Sequence, residues 1–301
     1  MNKWKYWLLM AVLFCIFSID AFADEHVKID TYDFTTQKWS YEYVTDRAVK
    51  MSTDVDDHEI APFAIIGTDN RSKVTNTTEY PYSCIGSIYV KTVSNDSWKF
   101  RGSGFLVAPS LMLTAAHCVY DQKDTITEIR FTPAKNGSTN PYGHAYSTKI
   151  HVPADFKDST SYDSKHDYAL IELDKPIGNT AGYFPEIHME KWDNVDPIKD
   201  PDPDQFYKMN NRGCIAGYPK QYSNLMYRES GVIYHRNSAL YLYYKVDTTD
   251  GQDGGPIFFT DDNGVKKYMG IHIINDCEEF PGYNQGRAMT LAIYTLINKY
   301  K

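Results

Sequence analysis

Short apolar runs rich in β-branched and aromatic residues recur along most of this 301-residue chain: Cys84 to Val90, Gly104 to Val107, Leu111 to Thr114, Tyr168 to Leu173, Cys214 to Gly217, Leu240 to Val246, Ile257 to Phe259 and Tyr268 to Ile274. Runs of this length between polar turns read as strands. Asp261-Asp262-Asn263-Gly264 separates the last two and predicts a hairpin, because Asn-Gly supplies the positive φ of a tight connection. Only Leu291 to Lys301 has helical spacing. The chain is therefore expected to be all-β with a closing helix, built as packed barrels or a sandwich rather than an α/β sheet with crossovers.

Charge narrows the partners. A net charge of −8 is the opposite of a nucleic-acid binder's basic face, so the expected partner is a peptide or protein. At the N-terminus, Lys3 and Lys5 precede an apolar stretch from Tyr6 to Ile19, and Ala21-Phe22-Ala23 follows. That order is the pattern of a secretory signal peptide, residues 1–23, cleaved after Ala23; its apolar part is shorter than the roughly 20 residues a membrane span needs. An exported, extracellular protein with no membrane attachment after cleavage is expected. Residues 24–63 carry ten acidic and four basic side chains without clear apolar periodicity, which reads as a propeptide. The remaining 64–301 is nearly neutral and is expected to form the folded, monomeric body, dividing near residue 185.

Three places carry chemistry. Leu113-Thr114-Ala115-Ala116-His117-Cys118 sets a histidine at the end of an apolar strand, behind small residues that allow close approach of another segment. Lys165-His166-Asp167-Tyr168-Ala169-Leu170 opens a strand with an aspartate, and Gly251-Gln252-Asp253-Gly254-Gly255-Pro256 is a turn whose glycines let backbone amides converge on an anion. Each alone is weak: a buried histidine is commonly structural, and an aspartate at a strand start is commonly turn chemistry.

Together, their order and spacing resemble the chymotrypsin-like serine proteases, and more closely the bacterial glutamyl endopeptidases, over essentially all of 64–301. The resemblance implies two antiparallel six-stranded β-barrels with the active cleft between them and a C-terminal helix. It also implies His117 as general base, Asp167 as the residue orienting it, and the amides of Gly251 and Asp253 as the oxyanion hole. Thr248 and His272 would line a primary pocket for a glutamate carboxylate, since an anion needs donors. No metal or cofactor is implied. Asp247 complicates the pocket, because trypsin-like members keep an aspartate at that place to pair with Lys or Arg; it either faces the pocket or points away.

The main departure is Asp253, where the family has the nucleophilic serine. A carboxylate attacking an amide would have to form an anhydride, and its charge would oppose the developing oxyanion. Losing the nucleophile of such a triad costs about 2 × 10⁶ in turnover. Asp253 is expected to flank His117 opposite Asp167 and to raise its pKa. Gln252 replaces the aspartate that pairs with a freed N-terminus in animal members. Arg101 stands where the disulfide partner of Cys118 is usual, leaving Cys84, Cys118, Cys214 and Cys277 with three possible connectivities, among which a Cys84–Cys118 bridge is favoured. Asn76-Thr77-Thr78 and Asn136-Gly137-Ser138 are glycosylation sequons if the source glycosylates, with ordinary polar turns the favoured reading. Three readings stand: a silenced glutamyl endopeptidase homologue keeping its peptide cleft, an active endopeptidase cleaving after Glu, and a structural or decoy protein.

Overall fold

The computed structural model describes residues 24–47, 63–188, 207–222, 224–235, 240–275, 277 and 281–301. The expected signal peptide, 1–23, and residues 48–62 of the expected propeptide lie outside the described residues.

The chain opens with a hairpin of β1 (Asp24–Asp33) and β2 (Lys38–Arg47), paired along all ten residues. Two short strands follow, β3 (Phe63–Ala64) and β4 (Ser72–Lys73). The first barrel is built from β5 (Ile85–Thr92), β6 (Asn95–Ala108), β7 (Leu111–Thr114), β8 (Ile126–Pro133), β9 (Ala145–Pro153) and β10 (Ala169–Leu173). Its order is β9, β8, β5, β6, β7, β10, and pairing of β10 with β9 closes it.

The second barrel uses β12 (Tyr207–Gly217), β13 (Tyr227–His235), β14 (Tyr241–Tyr244), β16 (Pro256–Thr260), β17 (Lys266–Ile274) and β18 (Asn284–Ala288). Its order is β16, β12, β13, β14, β18, β17, and β17 pairs back onto β16. Two short strands sit outside this ring: β11 (Glu186–Ile187), which joins β17 in parallel, and β15 (Thr248–Thr249), which pairs with β3. The C-terminal helix runs Leu291–Tyr300. The expected pair of closed six-stranded barrels with a closing helix is thus the observed fold, and closure removes the exposed edges an open sheet would leave.

The hairpin between β16 and β17 forms where Asn263-Gly264 stands: Gly264 has φ +81°, and Asp261 Oδ1 accepts from the amides of Asn263 and Val265. Between the barrels, Phe184 on the connecting segment packs against Phe105 of the first barrel at 5.7 Å and Phe258 of the second at 5.4 Å between ring centroids. Phe105 also meets Tyr268 at 5.4 Å. These buried rings pack the two barrels against each other.

Residues 24–47 of the acidic segment, which has no apolar periodicity, also fold. β9 gives its lower half to β8, through Ala145 and Tyr146, and its upper half to β1, from Lys149 to Pro153. Ile29 and Val44 are buried, each burial contributing about 1.5–3 kcal/mol. Three of its acidic side chains act as anchors: Asp30 pairs with Lys28 and Lys157, Glu42 with Lys299 and the Tyr300 hydroxyl, and Asp46 with the start of the C-terminal helix.

Candidate active site between the two barrels

The close approach anticipated from the small residues around His117 takes place at the Gly251 to Pro256 turn. Ser103 of β6 donates its amide to the Asp253 carbonyl at 2.8 Å and its hydroxyl to the Gly251 carbonyl at 2.7 Å. Gly254, at φ +82°, would place a Cβ 2.1 Å from Thr114 Oγ1 and 2.2 Å from the Ser103 carbonyl, so only glycine fits. Behind the turn, Gly254 donates to the His272 carbonyl and His272 to the Gly255 carbonyl, fixing β17 against it. The turn of the second barrel is therefore bolted to the first barrel's His117 end.

His117 and Asp167 meet as expected. His117 Nδ1 lies 2.6 Å from Asp167 Oδ2, and the His117 amide donates to Oδ1 at 3.0 Å. Asp167 is fully buried, and its charge is further met by the Tyr162 hydroxyl at 2.5 Å. Burial of the imidazole works against its charge, but the Asp167 carboxylate and the neighbouring Cys118 outweigh it and hold the His117 pKa well above its ordinary value. Tyr162 lies in a polar loop with no motif around it, so no sequence signal singles it out.

Asp253 does not flank His117. Neither carboxylate oxygen lies within ion-pair distance of the His117 ring; Oδ2 instead accepts from the Gly251 amide at 3.2 Å. Oδ1 accepts from Asn275 Nδ2 at 3.4 Å and lies 3.6 Å from His272 Nε2. The expected double pairing fails because the nearest donors to a carboxylate on this turn are the turn's own amide and the β17 side, not the imidazole. The raised His117 pKa stands, with Asp167 as its main source.

His272 is fully buried and sits in a chain of hydrogen bonds. Tyr244 donates its hydroxyl to Nδ1 at 2.6 Å, and Nε2 donates to Asn275 Oδ1 at 3.1 Å. Burial depresses the His272 pKa, with Asp253 and Asn275 opposing, so the ring is neutral with its proton on Nε2. Donor direction then runs without conflict from Tyr244 through His272 and Asn275 to Asp253. Asn275, which ties His272 to Asp253, is a second residue that sequence reasoning did not find.

Thr248 lies on β15, its hydroxyl buried and without a hydrogen-bond partner. Asp247 points away from the turn: Oδ1 accepts from the Ile66 amide and Oδ2 from the Asn70 amide, both at 2.8 Å. It anchors the segment entering the domain and leaves no pocket-floor carboxylate from that position. Cys84, Cys118, Cys214 and Cys277 are all buried, and no disulfide joins them. The favoured Cys84–Cys118 bridge is not formed, since the Cys84 thiol turns to the Pro81 carbonyl and the Cys118 thiol to the Asp253 carbonyl. Arg101, in the partner position of Cys118, pairs with Asp121 at 2.7 Å.

Two closed antiparallel barrels packed across a cleft define the chymotrypsin-like class of fold. The trypsin family model matches residues 73–301, and the chain belongs to that family. It is similar to the glutamyl endopeptidase of Bacillus licheniformis, 29% identical over 251 residues that cover 80% of this chain and 71% of that protein. It is also similar to the extracellular metalloprotease of Bacillus subtilis, 28% identical over 241 residues, covering 79% and 70%. Among solved structures, a Glu endopeptidase in complex with MPD superposes with a TM-score of 0.62 at 28% identity, over 79% of this chain and 99% of that one. Among the described residues, no three His, Cys, Asp or Glu side chains gather as metal ligands, and no helix is long and apolar enough to cross a membrane.

Proposed function

We propose that this chain is an exported glutamyl endopeptidase homologue that does not turn over peptide bonds and keeps its inter-barrel cleft as a peptide-binding surface. The observation that carries the reading is the bond from the Gly251 amide to Asp253 Oδ2. In a working member, an oxygen at position 253 attacks the peptide carbonyl, His117 takes its proton, Asp167 holds the imidazole, and the amides of residues 251 and 253 receive the oxyanion. Here the attacking hydroxyl is absent. A fixed negative oxygen already occupies one of the two donors that the tetrahedral intermediate needs, and removing one such donor alone costs about 10²–10³ in kcat. Among the described residues the Asp253 amide has no hydrogen-bond acceptor, which leaves it as the one remaining donor of that pair.

The glutamyl side of the reading is supported by His272 beside the turn and by the unpartnered Thr248 hydroxyl, a buried donor that costs about 1–3 kcal/mol if left unmet. The His272 donor is already engaged by Asn275, and Asp253 stands near it, so glutamate has to displace that contact. Calorimetry with a peptide carrying glutamate at the primary position, followed by mass spectrometry of the recovered peptide, tests the proposal. Heat of binding with the peptide recovered intact supports it. A cleaved peptide returns the chain to the active endopeptidases, and no heat at all favours a structural or decoy role.

A further inference from the structure

Arg71 has its guanidinium fully buried against the turn that carries Gly251. Nη1 donates to Thr249 Oγ1 at 2.6 Å and to Gln252 Oε1 at 2.7 Å, thereby gripping the turn at its first residue and beside Asp253. The other edge of the guanidinium is paired with Asp69, Nε to Oδ1 at 2.9 Å and Nη2 to Oδ2 at 2.8 Å. Asp69 also accepts from the Tyr222 hydroxyl, and its pKa is lowered chiefly by the bond from Arg71. Gln252 is fully buried, and its Oε1 additionally receives the Thr249 amide at 3.2 Å, so one side-chain oxygen ties the start and the middle of the turn to one cation.

We propose that Arg71 is the positioning residue of the 249–255 turn, an in-chain cation that orients the Gly251 amide without any freed N-terminus. The inference rests on reading Gly251 as an oxyanion donor, and it adds how that donor is held. Charge-assisted bonds from a planar, bidentate donor are about twice as strong as neutral ones, which suits a group that fixes backbone direction. The turn is complete while residues 63–71 are still part of the continuous chain. Phe63 and Ala64 pair with Thr249 and Thr248, and Asp247 receives the Ile66 amide from within the chain rather than an ammonium from a cut end. Processing near residue 64 is therefore not the step that forms the site.

Amide hydrogen exchange on the wild-type chain and on Arg71→Met tests this without requiring any catalysis. Exchange at Gln252 and Gly255, whose amides bond to Thr249 and Gln252 within the turn, should quicken at least about tenfold, while Leu170 in the first barrel keeps its rate. Arg71→Lys, which keeps the cation, should recover part of the protection. If Arg71→Met does not fold, Gln252→Leu removes the contact from the other side and should loosen the turn in the same local way. Unchanged exchange in the turn, or equal quickening there and at Leu170, overturns the proposal. In an Asp253→Ser background, the uncut chain and one cut before Ile65 should share the same kcat/KM, and Arg71→Met should lower kcat more than it changes KM. An Asp253→Ser protein with no activity would count against the oxyanion reading, and the exchange result would still decide the role of Arg71.

Discussion

Asp46 Oδ1 accepts the amide of Ala292 at 3.3 Å, a bond that joins the N-terminal hairpin to the C-terminal helix across 246 positions of sequence. Ala292 is the second residue of that helix, and Thr290 at its N-cap makes no side-chain capping bond. The helix start is thus capped by the hairpin. An acidic acceptor there satisfies an orphan donor and meets the positive end of the helix dipole. Asp46→Ala should cost about 1 kcal/mol of stability. The check is a lower urea midpoint with an unchanged slope; an unchanged midpoint removes the cap from this account.

The hairpin should outlast processing. β1 is paired with β9 over five residues, Thr31 Oγ1 bonds to His151 Nδ1 at 2.8 Å, and Glu42 holds Tyr300. A cut ahead of Ile65 therefore leaves residues 24–47 seated as a strand pair on β9 of the first barrel. If the chain is exported and processed as proposed, N-terminal sequencing of the folded protein after gel filtration should give two sequences, one beginning at Asp24 and one near Ala64 or Ile65. A single sequence near Ile65 on a protein of full stability would show that the hairpin leaves.

The sequence made the fold legible wherever a strand buries an apolar face, as in Leu111–Thr114 and Ala169–Leu173, where most side chains are buried. It failed where polar residues do the burying. β18 reads Asn-Gln-Gly-Arg-Ala yet is buried throughout, because the Arg287 guanidinium is satisfied by the carbonyls of Lys165, Leu240 and Ala288. β1 and β2 were hidden in the same way, their charges spent on Lys157, Lys299 and the helix start. At the site, His117, Asp167, Gly251 and Asp253 stand out by motif. Tyr162, Asn275 and Arg71 do not, since each reaches the site only through the tertiary fold.

His117 should titrate well above the usual imidazole value of about 6.5. Because the folded pKa is raised, its contribution to stability is fully present below the unfolded pKa and is lost as pH rises through the folded value. NMR titration should find that Asp167→Asn lowers the pKa strongly, whereas Asp253→Ala leaves it nearly in place. A large drop in Asp253→Ala would put that carboxylate back against the imidazole.

Asp253→Ala should tighten binding of a glutamyl peptide. It removes an anion 3.6 Å from His272 Nε2 and frees Asn275 Nδ2 and the Gly251 amide. Relief of like-charge repulsion at a partly buried site should bring at least about tenfold in Kd, or 1.4 kcal/mol. Calorimetry of both proteins with the same peptide gives the comparison; equal or weaker binding in the variant shows that Asp253 does not compete for the pocket.

The most direct measurement is hydrolysis of a fluorogenic peptide with glutamate before the scissile bond, by the wild-type protein and by Asp253→Ser side by side. With His117 on Asp167, and with the 251–255 turn braced by Ser103, His272 and Arg71, the serine variant restores the attacking hydroxyl, and on the proposed reading its rate should exceed the wild type's by several orders of magnitude. The wild type should stay at the buffer rate. Cleavage by the wild type, or a folded Asp253→Ser protein no faster than buffer, would contradict the account.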